Sequence, residues 1–479
     1  MGKTERETIR PLDLNKLLGL NGLKRAAQVM EPADGMSRAD LKAIGRECRR
    51  RVPRDAHAEW TTLKRDRSVL ALHRKATAGR IRELIPVRFG RMLANPFAYF
   101  RGAPAVMAHD LASLPNTGIC TQSCGDAHLS NFGAYASPER RLVFDVNDFD
   151  ETLEAPWECD IKRLASSIVI AGRDKGLDEN FSRDCAVSAG RAYRELLAQM
   201  AELSVMEIWY LSIDVEEIAY ALDSAGRANV KKAARKARKK DSLQAFRKLT
   251  EQIDGRARIR DNPPVVVHDR QTDDHARVRR LLRRYASTLP IGRRRLIDDF
   301  QVVDVARTVV GVGSVGTRCF LVLLAAKADG SPLLLQVKQA LPSVLEPYAG
   351  ASKWSSHAER VIEGQLLMQA ASDPFLGHIS ANRRDFYVRQ LRDMKGSADV
   401  DAMTPSGFMD YSQLCAATLA RAHARSCHPS LISGYLGSNG KFDEALGEFA
   451  VAYADQNELD YEVMLNAAKA GRIVAESDL

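Results

Sequence analysis

The chain has 479 residues, 45% hydrophobic and 27% charged, which supplies enough apolar material for a large buried core and excludes a disordered chain. Its 70 lysines and arginines against 61 acids give a formal charge of +9, which suits anionic partners such as nucleotides and equally suits a solvated basic surface. Eight cysteines with no Cys-x-x-Cys pair point to reduced, buried thiols, and with no apolar leader after Met1 and no run of membrane-spanning length, a cytoplasmic location is expected.

Residues 1–50 alternate short helical patterns with turn residues and carry no catalytic signature. From Arg80, the pattern Ile81, Leu84, Ile85 predicts a helix running into the basic, glycine-containing stretch Val87-Arg88-Phe89-Gly90-Arg91-Met92. Arg88, Arg91 and Arg101 either contact phosphate or tie this segment to acids within the fold. The densest chemistry follows at Gly125-Asp126-Ala127-His128-Leu129-Ser130-Asn131-Phe132-Gly133 and at Leu142-Val143-Phe144-Asp145-Val146-Asn147-Asp148-Phe149-Asp150. Turn residues at 134–140 between two β-rich runs predict a hairpin that holds Asp126, Asn131 and Asp148 near one end. Apolar neighbours crowd both acidic clusters, a costly setting for carboxylates unless hydrogen-bond donors or a hard divalent cation compensate.

A helix is predicted from Pro156 onward, with Ile161, Leu164, Ala165, Ile168 and Val169 on its apolar side and Asp160 near its start. Residues 177–262 read mainly as helices. Their basic run at 231–240 lacks the aromatic interleaving of a nucleic-acid site and reads as a solvated face. Asn262-Pro263-Pro264 breaks the pattern, a second basic helix begins at Arg277, and a boundary is expected near residue 297. Strands follow at 302–310, 318–324 and 333–338, the first two joined through Gly311-Val312-Gly313-Ser314-Val315-Gly316. Because this glycine pattern continues into a strand, it differs from the dinucleotide fingerprint, which opens a helix; a plain glycine-containing β-turn is the other reading. Lys338 ends the last apolar strand, where its ammonium needs a partner or an anion. The helix expected over 357–371 projects Glu363 from its apolar side, since Leu366 and Leu367 are its i+3 and i+4 neighbours. Lys338–Glu363 is therefore the expected ion pair, with Glu359 as the alternative. A strand over 386–391 comes next, and Tyr411, Leu414, Cys415, Thr418, Leu419 and Ala422 give helical spacing up to His423.

The stretch Gly-Asp-x-His-x-x-Asn followed by Asp-Phe-Asp resembles the catalytic and metal-binding loops of protein-kinase-like folds, especially aminoglycoside and small-molecule phosphotransferases. Arg88–Met92, Phe100-Arg101-Gly102, Gly125–Gly133 and Asn147–Glu151 together are similar to the bacterial family known as domain of unknown function 2252, from roughly residue 50 to the C-terminus. The resemblance implies an α+β, protein-kinase-like bilobal fold with a mixed β N-lobe and a mainly helical C-lobe. The kinase-like order is glycine loop, lysine, helix glutamate, hinge, helix, catalytic loop, metal loop. Here the last two come first, which implies a circular permutation. The parts are then a helical N-terminal extension (1–105), a C-lobe-like part with both loops and a helical insert (106–296), an N-lobe-like β domain with the glycine-rich loop (297–396), and C-terminal helices completing the C-lobe (397–479).

By that resemblance Asp126 accepts the proton of an attacking hydroxyl, and His128 braces the loop or takes part in catalysis. Asn131 and Asp148 hold magnesium or manganese, with Asp145 an alternative to Asp148 and Asp150 a carboxylate for a second metal. Gly311, Gly313, Ser314, Gly316 and Lys338 hold the phosphates of ATP, Glu363 orients Lys338, the backbone at Gln390 and Leu391 binds adenine, and Asp160 braces the catalytic loop. The expected partners are a nucleotide and a hydroxyl-bearing small molecule or protein; neither nucleic acid nor a membrane is expected. The sequence departs from the pattern at Cys124, where related enzymes often carry His, and at Asp150, where Gly often follows Asp-Phe. Three other functions fit part of it: a nucleotide-binding scaffold, although a scaffold needs no base such as Asp126; AMP transfer with the nucleotide turned round; and a metallophosphatase, which usually needs a Gly-Asn-His motif that is missing.

Overall fold

A computed structural model of the chain describes residue 13 and residues 35–60, 65–221, 224–239, 242–269, 275–309, 311–391 and 394–476. The short helical patterns expected before residue 35 lie outside the described residues. The architecture is α+β. After a helix at Val69–Ala76 (α1) come helices at Ile85–Met92 (α2), Pro96–Gly102 and Pro104–Leu111. Each of the last three carries a proline in its first turn, where the missing N–H costs no hydrogen bond and the fixed φ suits the helix.

Two antiparallel ribbons follow. Strand β1 (Cys120–Ser123) pairs with β4 (Leu153–Pro156), and between them β2 (Phe132–Ala136) pairs with β3 (Leu142–Val146). The turn occupies 137–141, so Ala134, Tyr135 and Ala136 belong to the strand and not to the turn. Helices α3 (Glu158–Asp174) and α4 (Glu179–Met200) then form the main core with two later helices. The expected apolar side of α3, from Ile161 to Val169, is buried throughout.

The stretch expected to be mainly helical contains α5 (Ser224–Arg238) and α6 (Ser242–Leu249), but also a hairpin of β5 (Thr250–Ile253) and β6 (Arg256–Ile259). Its two turn residues, Asp254 and Gly255, both have positive φ, which the Asp-Gly pair tolerates and the hairpin twist favours. In α5 the cations Lys231, Lys232, Arg235, Lys236 and Arg238 are exposed while Ala234 and Ala237 are buried, as in a solvated basic face.

A short strand β7 (Val266–Val267) and helices α7 (His275–Thr288) and α8 (Ile291–Asp298) lead into β8 (Phe300–Thr308), β9 (Cys319–Ala326) and β10 (Pro332–Ala340). Helix α9 (His357–Met368) precedes β11 (Gly377–Ala381) and β12 (Arg384–Gln390). The six strands form one antiparallel sheet in the order β11-β12-β10-β9-β8-β7. Alternation along β10 sends Leu333 and Leu335 to the face covered by Tyr285, Leu289 and Ile297 of α7 and α8. It sends Leu334 to the opposite face, covered by Ala245 of α6 and Ile259 of β6. A boundary near 297 therefore cuts through this unit. Strand β7 pairs with β8, and Tyr285 and Ala286 of α7 and Ile297 of α8 are buried together with residues of the sheet, so all three elements belong with it.

A two-residue strand β13 (Gly396–Ser397) adds to β2, and α10 (Pro405–Ala424) and α11 (Lys441–Lys469) complete the helical core. Phe408, Leu414, Cys415 and Leu419 of α10 pack in that core with Ile161 and Leu164 of α3 and Leu196 of α4. Among the described residues no helix is long and apolar enough to cross a membrane.

Candidate functional site

The loop after β1 is fixed by a glycine and an acid. Gly125 has φ 79°, and a Cβ there would lie 2.2 Å from the carbonyl oxygen of Glu151, so only glycine lets this loop pack on the segment after β3. Asp160, in the first turn of α3, accepts from the backbone N–H groups of Cys124 (2.7 Å) and Gly125 (2.9 Å). His423 at the end of α10 lies 3.2 Å from the same carboxylate and is itself met by the Tyr193 hydroxyl at 2.8 Å. The backbone of Leu129 donates to Ser167, and Tyr411 donates to the Leu129 carbonyl. The loop is thus tied to three helices before any ligand arrives.

On this frame Asn131 links the two acidic stretches. Its Nδ2 donates to the carbonyls of Asp126 (3.0 Å) and Asp148 (3.1 Å), leaving its buried Oδ1 without a hydrogen-bond partner. The Asp126 carboxylate accepts from Arg163 Nε at 2.5 Å; burial outweighs that guanidinium and pushes the carboxyl up to about 6. His128 stands with Nε2 at 3.8 Å from Asp126, and burial, followed by Arg101 and Arg163, keeps its imidazole neutral. Glu151 accepts from the Val344 N–H and is pushed by burial up to about 7.

The lysine does not meet the helix acid expected of it. Lys338 donates to Asp150, which also accepts from the Tyr387 hydroxyl at 2.8 Å and from Ser314 Oγ at 3.1 Å. Burial pushes this ammonium's pKa down; the charges of Asp148 and then Asp150 outweigh it and leave the pKa raised. Burial works against the Asp150 carboxylate too, and Lys338 draws its pKa below the usual range. Glu363 is only half-buried and lies beside Glu359 and His378, while Glu359 binds the hydroxyl of Ser355. From the same helix it is Arg360 that faces the site, donating to the carbonyls of Asp150 and Leu341, both at 2.8 Å. Asp150 is thereby the lysine's partner and not a free ligand for a second metal. Glu363→Gln should change unfolding free energy by less than about 0.5 kcal/mol, whereas Asp150→Asn should cost about 2–3 kcal/mol in urea denaturation; equal effects would contradict this pairing.

Asp145 is likewise withdrawn from metal binding. Its carboxylate is buried and accepts from Arg421 Nη2 at 2.5 Å and from the backbone N–H groups of Val146 and Ala370. At the position expected to receive adenine the N–H groups are already taken, Gln390 donating to Asp373 and Leu391 to the Leu334 carbonyl, while a cavity of about 80 Å³ lined by Tyr135, Asn147, Gln390 and Leu391 lies beside them.

The glycine-rich segment joins β8 to β9, with Gly311 (φ 66°) and Gly316 (φ 87°) in the left-handed region. Its carbonyls are taken by arginines of the early helices: Arg80 binds those of Gly313 and Val315, Arg88 those of Val312 and Gly313, and Arg91 that of Gly311. These arginines hold the loop's backbone, which the sequence reading did not foresee. Arg101, by contrast, sits near the charges of Asp126 and Asp148, with its Nε unpartnered.

A cavity of about 330 Å³ lies between these parts. Asp126, Asp148, Asp150 and Glu151 line it together with Gly313 and Ser314 of the glycine-rich segment, Lys75 of α1 and Arg80. Among the described residues no three His, Cys, Asp or Glu side chains converge as a ready-made metal site. A magnesium ion needs less, because it is held by one or two carboxylates with waters and substrate phosphates. The orphaned Oδ1 of Asn131 beside Asp148, whose Oδ1 accepts a long 3.3 Å bond from the Asp150 N–H, fits such a site.

Sequence reasoning missed Arg163, Glu151, Tyr387 and Arg360. Arg163 and Arg360 lie on the inner sides of their helices, one and three residues from positions that were singled out, and an unpaired cation on an apolar side was the available signal. A family model described as "Uncharacterized protein conserved in bacteria (DUF2252)" matches residues 80–467. No curated protein and no solved structure matches the chain.

Proposed function

We propose that this chain, which belongs to the bacterial DUF2252 family, is an ATP- and magnesium-dependent phosphotransferase of protein-kinase-like build with a circularly permuted chain order. The observation that carries this reading is one cavity lined both by Asp126 and Asp148 and by Gly313 and Ser314 of the glycine-rich loop, with Lys338 hydrogen-bonded to Asp150, which also lines it. Phosphoryl transfer is mostly positioning and neutralisation of charge, and these are the groups it uses. The sheet supports the same reading: the glycine loop joins two adjacent strands, Lys338 lies on the next, α9 follows it, and β12 leads toward the helical core. The permuted order is supported by the end of α10, where Ser426 Oγ accepts from the Gln122 N–H at 2.8 Å, two residues before the loop that such a helix would otherwise lead into directly.

In this scheme Asp126 takes the proton of the acceptor hydroxyl, and Arg163 keeps the spent carboxylate in place. Asn131 and Asp148 would hold magnesium or manganese, which when bound neutralises charge on the phosphates. Lys338 exchanges Asp150 for a phosphate oxygen, and Ser314 is released by the same exchange. The test is thermal unfolding of the wild type and Asp148→Asn with and without millimolar Mg·ATP. At about 100-fold above its dissociation constant a ligand adds about 2.7 kcal/mol, so the wild type should shift upward and the variant should not. If neither shifts, with manganese and ADP also silent, the phosphotransferase reading fails and a scaffold without nucleotide replaces it.

Transfer of AMP is the second reading, favoured by one observation. The sheet face beneath β8 to β10 is covered by Ala245 and Ile259, and the N–H groups of Gln390 and Leu391 are taken, so neither amide is left to donate to the base on that side. The open volume lies across the glycine loop, toward α1. Label from ATP carried on the α-phosphate would appear on the acceptor under this reading; label on the γ-phosphate would appear under the first.

A further inference from the structure

The sheet has a second opening, on the face opposite Lys338. Between α7 and the sheet lies a groove of about 120 Å³ whose floor is Val322, Leu335 and Val388. Well-packed interiors leave few voids of this size, yet here Val278, Leu281 and Leu282 of α7 and Phe320 and Val337 of the sheet stay only half-buried along it. A cavity of about 150 Å³ with apolar walls is enough to admit a benzene ring, so this one has room for a short alkyl chain.

The rim has one sign of charge. Arg277, Arg318 and Arg384 line it, together with Asn382 from the β11–β12 turn, and among the described residues that line the groove none is an acid. Arg384 is exposed and Arg318 is half-buried, with Nη1 on the carbonyl of Gly79 and on Gln339. Burial, and then the charge of Arg384, push the Arg318 guanidinium down, so the two cations are close enough to repel. An apolar trough with two neighbouring guanidiniums in its lining matches a molecule with the opposite plan.

We propose that this groove is a binding site for an amphipathic anion, a medium-chain carboxylate whose alkyl tail lies between α7 and the sheet and whose head bridges Arg318 and Arg384. The groove shares no lining residue with the cavity and does not rest on the phosphotransferase reading.

Calorimetric titration of the full-length protein with hexanoate, octanoate and the neutral octanol, all below micelle formation, tests it. Octanoate should bind about tenfold or more tighter than octanol, as a charge-assisted hydrogen bond requires. Each methylene added between hexanoate and octanoate should tighten binding about threefold to fourfold. Arg318→Gln/Arg384→Gln should abolish the preference for the anion while leaving weak octanol binding. Ala381→Phe, which fills the groove's edge, should weaken both ligands; if that variant melts early, the arginine pair alone decides. Equal affinity for octanoate and octanol, no heat with either, or an unchanged anion preference in the double glutamine variant would each overturn the proposal.

Discussion

Arg421→Ala is expected to lose about 3–5 kcal/mol of unfolding free energy, the largest stability effect predicted for a single side chain outside the cavity. Arg421 and Asp145 are both fully buried, 2.5 Å apart, and the same Nη2 also donates to the Met368 carbonyl at 2.9 Å. Removing the cation leaves a carboxylate in the core with only the backbone donors of Val146 and Ala370. That pair also joins three parts of the molecule: α10, the end of α9, and the strand that leads to Asp148. The double variant Asp145→Asn/Arg421→Met removes both charges and keeps most of the volume, so it should recover at least half of the loss. Urea denaturation of the two variants checks both statements. A loss below about 1 kcal/mol in the single variant would mean that water or another donor reaches Asp145 without its partner.

The same pair shows where sequence reasoning stops. Asp145, Asp148 and Asp150 stand within six residues, and nothing local tells which carboxylate is pinned by an arginine 276 positions away and which by a lysine 188 positions away. What was legible was periodic: the alternation of β2, β3 and β8 to β10, the glycine loop between two strands, the apolar side of α3 and the helical spacing of α10. Asp160 was legible as well, because an acid in a helix's first turn has few places to point, and here it points at two backbone amides. The Lys338–Glu363 pairing failed for a physical reason. The rule that an inward acid seeks a cation holds, but Glu363 is half-exposed, and the helix turns Arg360 inward instead, toward backbone carbonyls. Arg88 and Arg91 failed similarly. They were weighed as ligands of phosphate or of acids, and they satisfy carbonyls of a glycine-rich loop that has no side chains to do so. The domain edge at 297 was misplaced because a helix carrying so many arginines reads as surface, while its buried Tyr285 and Leu289 are too few to announce a sheet beneath it.

Asp126→Asn should lower transfer from Mg·ATP by about 10²–10⁴-fold, the usual contribution of a positioned general base, while leaving the Mg·ATP-induced thermal shift in place. The amide keeps the shape and one acceptor for Arg163 but cannot take a proton. Because burial raises the carboxyl to about 6, wild-type activity should climb with pH along a limb centred near that value, and the variant's residual activity should lack the limb. The same shift has a consequence for stability, with a definite sign. A carboxyl with a folded pKa above its unfolded value of 3.8 binds protons more tightly when folded, so folding loses free energy as pH rises from about 4 through 6. Denaturation at pH 4 and pH 7 should therefore show the wild type falling relative to Asp126→Asn over that interval. Glu151, raised from 4.5 to about 7, adds a loss of the same sign that continues to higher pH and persists in the Asp126 variant. A stability difference between the two proteins that is flat from pH 4 to pH 7 would place Asp126 in water. An unchanged rate would remove it from the chemistry, and with it the strongest reason to read this cavity as an active site.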